Sequence, residues 1–273
     1  MALVPFPGPQ GTAVPLPPEE DDESSGARMS FLDHLDELRR RIVNSCIAIA
    51  VGVAATFYWI DWIFNFILAP TRAALPPGVK LIYTQPGEAF SLYITIALIA
   101  GAVVASPFIM LQVWLFIAPG LYSNEKRMAI PFVLFTTIGF LAGAAFNHYI
   151  SFPYLMVFFA SFNTPDLAFM PKLEDVFGLY SKMLIGMGLV FQMPAVVYFL
   201  AKMKLVTARF LASNFKYALL IIFIAAAVIT PSGDMMTQTI FAAPMIVLYI
   251  VSIFVAWFFG KKRQTDETAM ATQ

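Results

Sequence analysis

The chain is poor in charge, in cysteine and in histidine. Only 12% of its 273 residues are Asp, Glu, Lys or Arg, about half the share of an average soluble domain. So little charge cannot clothe a water-soluble surface when 59% of the residues are hydrophobic and the mean hydropathy is +0.75. The 17 basic and 17 acidic side chains cancel, so no bulk field draws a polyanion and no nucleic-acid partner is expected. A single cysteine, Cys46, excludes an intrachain disulfide and a Cys-rich metal site. Two histidines, His34 and His148, are too few for a His-based cluster. No glycine-rich phosphate loop is present, so nucleotide hydrolysis and a cofactor are not expected. Residues 1–28 lack the basic start and apolar core of a cleavable signal peptide. They are rich in Pro and Gly, carry the acidic run Glu19–Glu23, and read as a disordered cytoplasmic tail.

What the chain does have is long uncharged runs. A helix needs ~20 apolar residues to cross ~30 Å of hydrocarbon. Ile42–Ile60, Ala89–Ala118, Met128–Pro165, Met183–Ala201, Tyr217–Ile229 and Met235–Gly260 contain no Asp, Glu, Lys or Arg. The third is too long for one span and too short for two, and reads as a helix to about Ile150, a break near Pro153 and an outer segment. The fifth has 13 residues and reaches only ~20 Å as a helix. Either that helix starts earlier, near Ala212, or the membrane thins beside it. The expected fold is an all-α polytopic membrane protein with six transmembrane helices.

Basic residues set the orientation. With the N-terminus inside, 13 of the 17 Lys and Arg fall on inner segments and 4, at Arg72, Lys80, Lys172 and Lys182, on outer ones. Both termini are therefore expected in the cytoplasm. The domains read as a tail at 1–28, a six-helix membrane domain at 29–260 and a cytoplasmic C-terminal tail at 261–273. Inner loops are short, at Pro119–Arg127 and Lys202–Ser213. Outer loops are expected at Asp61–Glu88, at Phe152–Lys182 and as a tight turn at Thr230–Asp234.

Chemistry concentrates in a few places. Ser30 and Asp33 have the spacing of a capping box. Beyond them, Phe31, Leu35, Leu38 and Ile42 form one stripe, and Asp33, Glu37, Arg40, Arg41 and Asn44 another. This is an amphipathic lead-in to the first span, in which Glu37 pairs with Arg41 at i,i+4 and Arg39–Arg41 act as stop-transfer charges. Glu125 lies in the next inner loop, beside Lys126. Two acids at the mouths of adjacent spans could equally be solvated loop charges or a receptor for a cationic peptide, and a guanidinium would suit them better than an ammonium. Gln192 is a polar residue in mid-span, either bonded to backbone freed by Pro194 or acting on a partner helix. Asp234 and Gln238, at i,i+4, either cap the last helix or touch cargo or a partner subunit. Asp61, Glu88, Glu174 and Asp175 read as ordinary outer-loop charges.

His34-Leu35 with Glu37-Leu38-Arg39 and Arg41 resembles the N-terminal signature of the TatC family, receptor subunits of the twin-arginine protein translocase. Gln112-Val113-Trp114-Leu115-Phe116-Ile117-Ala118-Pro119-Gly120-Leu121-Tyr122 with Glu125-Lys126-Arg127 resembles a second family block. Pro70 resembles its first-loop proline, and Thr230-Pro231 with Asp234 and Gln238 its last outer turn. The likeness runs over about residues 29–260. It departs at Gln192, where many relatives carry Glu, and at Ser232-Gly233, one residue longer than some members' turn. The resemblance implies a non-enzymatic receptor in the cell inner membrane that binds twin-arginine signal peptides of folded cargo. Glu37 and Glu125 would receive the arginines, and Arg39, Phe116 and Lys126 would shape the patch. It further implies a concave, glove-like bundle with short helices five and six. Partners would be TatA- and TatB-like single-span proteins, membrane lipid and further copies in a larger complex, with the proton-motive force as driver. A proton-coupled transporter of a small solute is the alternative.

Overall fold

The computed structural model describes residues 31–75, 79–117, 129–164, 166, 169–230 and 234–259. Its elements are α1 (Phe31–Phe57), α2 (Ile60–Ala74), α3 (Glu88–Ile117), α4 (Ala129–Phe146), a π-helical turn (Asn147–Ser151), α5 (Phe152–Ala160), α6 (Leu173–Val190), α7 (Met193–Lys202), α8 (Ala208–Ser213), α9 (Phe215–Ile229) and α10 (Met235–Phe259). An isolated β bridge joins Ile82 to Lys172. Among the described residues, five helical spans are long and apolar enough to cross a bilayer: Asp33–Phe57, Glu88–Ile117, Ile130–Ala160, Leu173–Lys202 and Met235–Phe259. The expected tails at 1–28 and 261–273, the cap at Ser30 and the inner loop Pro119–Arg127 lie outside the described residues.

Several expectations are corrected. Helix continues past Pro153 to Ala160, so there is no break. The π turn absorbs the proline: Phe152 N–H reaches five residues back to the Asn147 carbonyl, and Pro153, in the first turn of the renewed α-helix, needs no donor. The second outer loop therefore shrinks to residues 161–172, because α6 also starts ten residues before Met183. The charges that masked this start, Glu174 and Asp175, sit in its first turn, where acids complement the helix dipole. The first outer loop contains α2, with Asp61 in its first turn, Arg72 in its last, and Ile67, Leu68 and Thr71 buried. Helix α10 has 25 residues, so the short sixth helix implied by the resemblance is not seen. The fifth is short, with 15 residues in α9 and a length of ~22 Å; it begins at Phe215, after a break at Asn214.

Helix α1 runs unbroken from the lead-in into the span, and much of its two stripes faces opposite to a soluble helix. Leu35 and Ile42 are exposed, whereas Glu37, Arg41 and Asn44 are partly covered; Leu38, partly covered, and Asp33 and Arg40, exposed, do not follow this pattern. With lipid as the solvent, apolar side chains turn outward and the polar stripe turns to the neighbouring helix.

Helices α1 and α3 cross at touching backbones. A Cβ on Gly52 would lie 2.4 Å from the Gly101 carbonyl oxygen, and one on Gly101 would lie 2.5 Å from the Val53 nitrogen. Helices α4 and α6 meet the same way, a Cβ on Gly143 falling 2.6 Å from the Met187 carbonyl oxygen. Close backbone approach through small residues is how membrane helices gain packing energy when lipid removes the hydrophobic drive.

At the opposite end from Glu37 the segments leading into α3 and α6 are clamped together. Glu88, read from sequence as an ordinary loop charge, is buried. Its carboxylate accepts from the amides of Thr84 at 2.9 Å, Gln85 at 3.3 Å and Glu174 at 3.2 Å, and Lys172 Nζ is 3.7 Å away. The Ile82–Lys172 bridge is sealed by Leu173 N–H donating to the Ile82 carbonyl at 2.8 Å. Hydrogen bonding to Glu174, with the Glu88 charge adding to it, holds the Lys172 ammonium above the usual lysine range.

The short α9 leads to a checkable result. Ile222 and Ala226 are buried, while Tyr217, Leu220, Ile221, Ile224 and Val228 on the other side are exposed. Single cysteines along Tyr217–Ile229 are expected to react with a water-soluble maleimide on the exposed face within one turn of either end, where a 22 Å helix leaves hydrocarbon unspanned. Protection of every position would mean a fully embedded span.

Candidate functional site

The first turns of α1 and the last turns of α3 build a polar cluster where the bundle is otherwise apolar. Arg41 Nη2 donates to Glu37 Oε1 at 2.9 Å, one helical turn away, and Arg41 Nη1 donates to Gln112 Oε1 on α3 at 3.3 Å. The Glu37 and Arg41 side chains keep only 16% and 23% of their exposure. Among the described residues, Glu37 Oε2 and Arg41 Nε are buried without a hydrogen-bond partner. Next to this cluster, His34 of α1 stacks on Phe116 of α3, with ring centroids 4.4 Å apart and planes 19° from parallel. Trp114, two positions before Phe116 and so on another face of α3, is buried and its ring centroid lies 4.3 Å from that of Phe132 on α4. The His34–Phe116 stack thus forms an aromatic floor beside a buried carboxylate oxygen with no hydrogen-bond partner among the described residues.

A carboxylate oxygen shut away from water without a donor costs more than the ~1–3 kcal/mol of a neutral unsatisfied group. A donor brought in by a ligand removes that cost. Because Arg41 already balances the single charge of Glu37, the described cluster is neutral as it stands, and a ligand with two positive charges needs a further acid.

The structure places the predicted residues unevenly. Glu37 and Phe116 come together on facing helices. Arg39, two positions past Glu37 and so across the helix from it, is exposed and does not join the cluster. Glu125 and Lys126 lie outside the described residues. Pro70 is inside α2 and lines a cavity with His148, Tyr149 and Pro153. Gln192, at the α6–α7 break, donates from Nε2 to the Thr136 carbonyl of α4 at 2.9 Å, so the expected bond to backbone freed by Pro194 is replaced by a tie between helices. Asp234 caps α10: its Oδ2 accepts from Thr237 N–H at 2.8 Å, and its Oδ1 from the Thr237 hydroxyl at 2.8 Å. Gln238 Nε2 donates to the Phe223 carbonyl at 2.8 Å, joining α10 to α9. Sequence reasoning quoted Gln112 but gave it no role. Its signal was there, a lone amide in an uncharged span, which must find a partner inside the protein.

Fold and site together define a polytopic α-helical membrane protein with a partly shielded polar cluster at one end. The family model described as "Sec-independent protein translocase protein (TatC)" matches residues 33–244, and the chain belongs to the TatC family. It is 42% identical over 239 residues to the Sec-independent protein translocase protein TatC of Koribacter versatilis, covering 86% of this chain and 88% of that one. The Helicobacter pylori TatC (strain 26695) is 38% identical, covering 82% and 85%, and the Aquifex aeolicus TatC is 35% identical, covering 88% and 100%. A crystal structure of a twin-arginine translocase receptor TatC superposes with a TM-score of 0.72 at 36% identity, covering 82% of this chain and 97% of that one. A second, of the receptor in DDM, gives 0.74 at 36% identity, covering 84% and 99%. The chain is thus a multi-pass inner-membrane component of a protein translocase rather than an enzyme, and the small-solute transporter reading falls away.

Proposed function

We propose that this chain is the signal-peptide receptor of its translocase, holding two consecutive arginines between Glu37 and Glu125 at the cytoplasmic face. The observation that carries the reading is the buried, unpartnered Oε2 of Glu37 beside the His34–Phe116 stack. One guanidinium donates to that oxygen, and its flat face is suited to the aromatic floor. The second arginine takes Glu125, whose charge the neutral Glu37–Arg41 pair cannot supply. Arg39 and Lys126 set the outer limit of the patch by repelling other cations. Arg is preferred over Lys because its planar fork meets a carboxylate with two parallel bonds.

The same reading places both termini in the cytoplasm and counts α9 as a sixth span, in a concave, glove-like bundle. The tails 1–28 and 261–273 flank the membrane domain. TatA- and TatB-like single-span proteins are the expected partners, together with further copies of this chain, and the proton-motive force drives transport. Pro70, Gln192, Asp234 and Gln238 act as turn and helix-contact positions toward those partners. The test is complementation. In cells lacking their own TatC, this chain with its TatA- and TatB-type partners should export a folded reporter bearing an Arg-Arg signal peptide, and a protonophore should stop export. Export of the reporter after its arginine pair is changed to Lys-Lys, at an unaltered rate, would sink the reading.

A further inference from the structure

A second feature at the same end of the bundle is not used by signal-peptide binding as described above. The C-terminal ends of α3, α7 and α10 and the start of α4 enclose an almost wholly apolar slot of about 290 Å³, walled by Trp114, Phe132, Phe135, Tyr198 and Phe259, with Lys202 at its end. All four elements end or begin here at one end of the bundle, where apolar spans of this length are expected to meet the headgroups. Trp114 packs against Phe132 at 4.3 Å, and Tyr198 against Phe259 at 5.0 Å. The walls are therefore rings already held in place, and a ligand would not have to order them.

We propose that this slot binds one anionic phospholipid of the cytoplasmic leaflet, with an acyl chain between the aromatic rings and the phosphate at Lys202. An apolar lining closed by one cation fits a ligand with a long apolar part and a single anionic head. Lysine binds phosphate as a point charge and carries three donors, so it can hold a phosphate oxygen alongside another partner. Basic pockets between membrane helices on the cytoplasmic side select acidic headgroups. The sequence next to these helix ends has the same sign: Lys126 and Arg127 precede α4, Lys204 follows α7, and Lys261, Lys262 and Arg263 follow α10, against Glu125, Asp266 and Glu267. The inference draws on the proposed orientation only for the leaflet, and does not depend on the guanidinium site.

Trp114 makes the test direct. It is buried in the slot, whereas Trp59, Trp62 and Trp257 are exposed, so Trp59→Phe, Trp62→Phe and Trp257→Phe leave one reporter. In phosphatidylcholine nanodiscs, brominated phosphatidylglycerol should quench Trp114 at a mole fraction at least fivefold lower than brominated phosphatidylcholine. Lys202→Gln should abolish that preference, whereas Lys204→Gln should preserve it, and Val255→Phe, which fills the slot, should weaken quenching by both lipids. The Lys202→Gln protein should keep its affinity for an Arg-Arg signal peptide. Equal quenching by the two lipids, or equal loss with Lys202→Gln and Lys204→Gln, would reduce the effect to general surface charge and overturn the site. Loss of peptide binding with Lys202→Gln would assign the slot to the signal peptide instead.

Discussion

Replacing Glu37 by Gln should lower photo-crosslinking of an Arg-Arg signal peptide at least tenfold while leaving membrane insertion intact. The side chain keeps its shape, so His34, Phe116 and Gln112 lose no packing. What goes is the carboxylate charge, both at the buried Oε2 and in the ion pair with Arg41. A hydrogen bond to a charged group is worth ~1.5–3 kcal/mol, and ~1.4 kcal/mol is a factor of ten. Asp36 is the control, one residue away and exposed on the same helix; Asp36→Asn should capture peptide as the unaltered protein does. If the two variants behave alike, a diffuse acidic surface rather than a fixed oxygen would account for recognition. Glu125→Gln is expected to match Glu37→Gln if, as proposed, each acid takes one arginine.

The second large effect concerns folding. Gly101→Leu should remove most folded protein from the membrane, because its Cβ would fall 2.5 Å from the Val53 nitrogen and 2.8 Å from the Val53 Cα. Those are backbone atoms, which no rotamer change can move aside. The α1–α3 pair would have to separate, and with it the Glu37–Arg41–Gln112 cluster that spans the two helices. Gly178→Ala supplies the comparison. Nothing lies within 4 Å of a Cβ there, and in a helix the change from Gly to Ala gains ~0.5–1 kcal/mol, so its thermal midpoint should hold or rise. The readout is folded yield and the melting temperature in detergent. A Gly101→Leu protein as abundant and stable as the Gly178→Ala protein would show that the helices do not need this contact.

Scanning for uncharged stretches located the spans well where charge stops at the membrane boundary, as at α1, α3 and α10. It failed where helices carry charge beyond the hydrocarbon. Glu174 and Asp175 hid the first turns of α6, and Asp61, Arg72 and Pro70 disguised α2 as a loop. Pro153 misled for a different reason. A proline read alone signals a break, but the π turn before it removes the need for its missing N–H, and a register shift of that kind leaves no simple mark in the sequence.

Half of the recognition cluster was legible. The i,i+4 spacing foretold the Glu37–Arg41 pair, and the bridge at 2.9 Å confirms it. The facing of the stripe was not legible, because the same pattern buries its apolar side in water and its polar side in lipid. Gln112 is 71 positions from Arg41, and only the α1–α3 crossing at Gly52 and Gly101 brings them together. Burial of Glu88 was likewise hidden. Its amide donors come from Thr84, Gln85 and Glu174, two beside it in sequence and one far away, and no local pattern announces such a clamp.

Binding of synthetic signal peptides to de-energised membranes containing this protein and no other translocase component tests the recognition chemistry most directly. A peptide with the Arg-Arg pair should bind at least tenfold more tightly than its Lys-Lys twin, and the gap should close when Glu37 and Glu125 are both changed to Gln. Equal affinity for the two peptides in the unaltered protein would contradict the account.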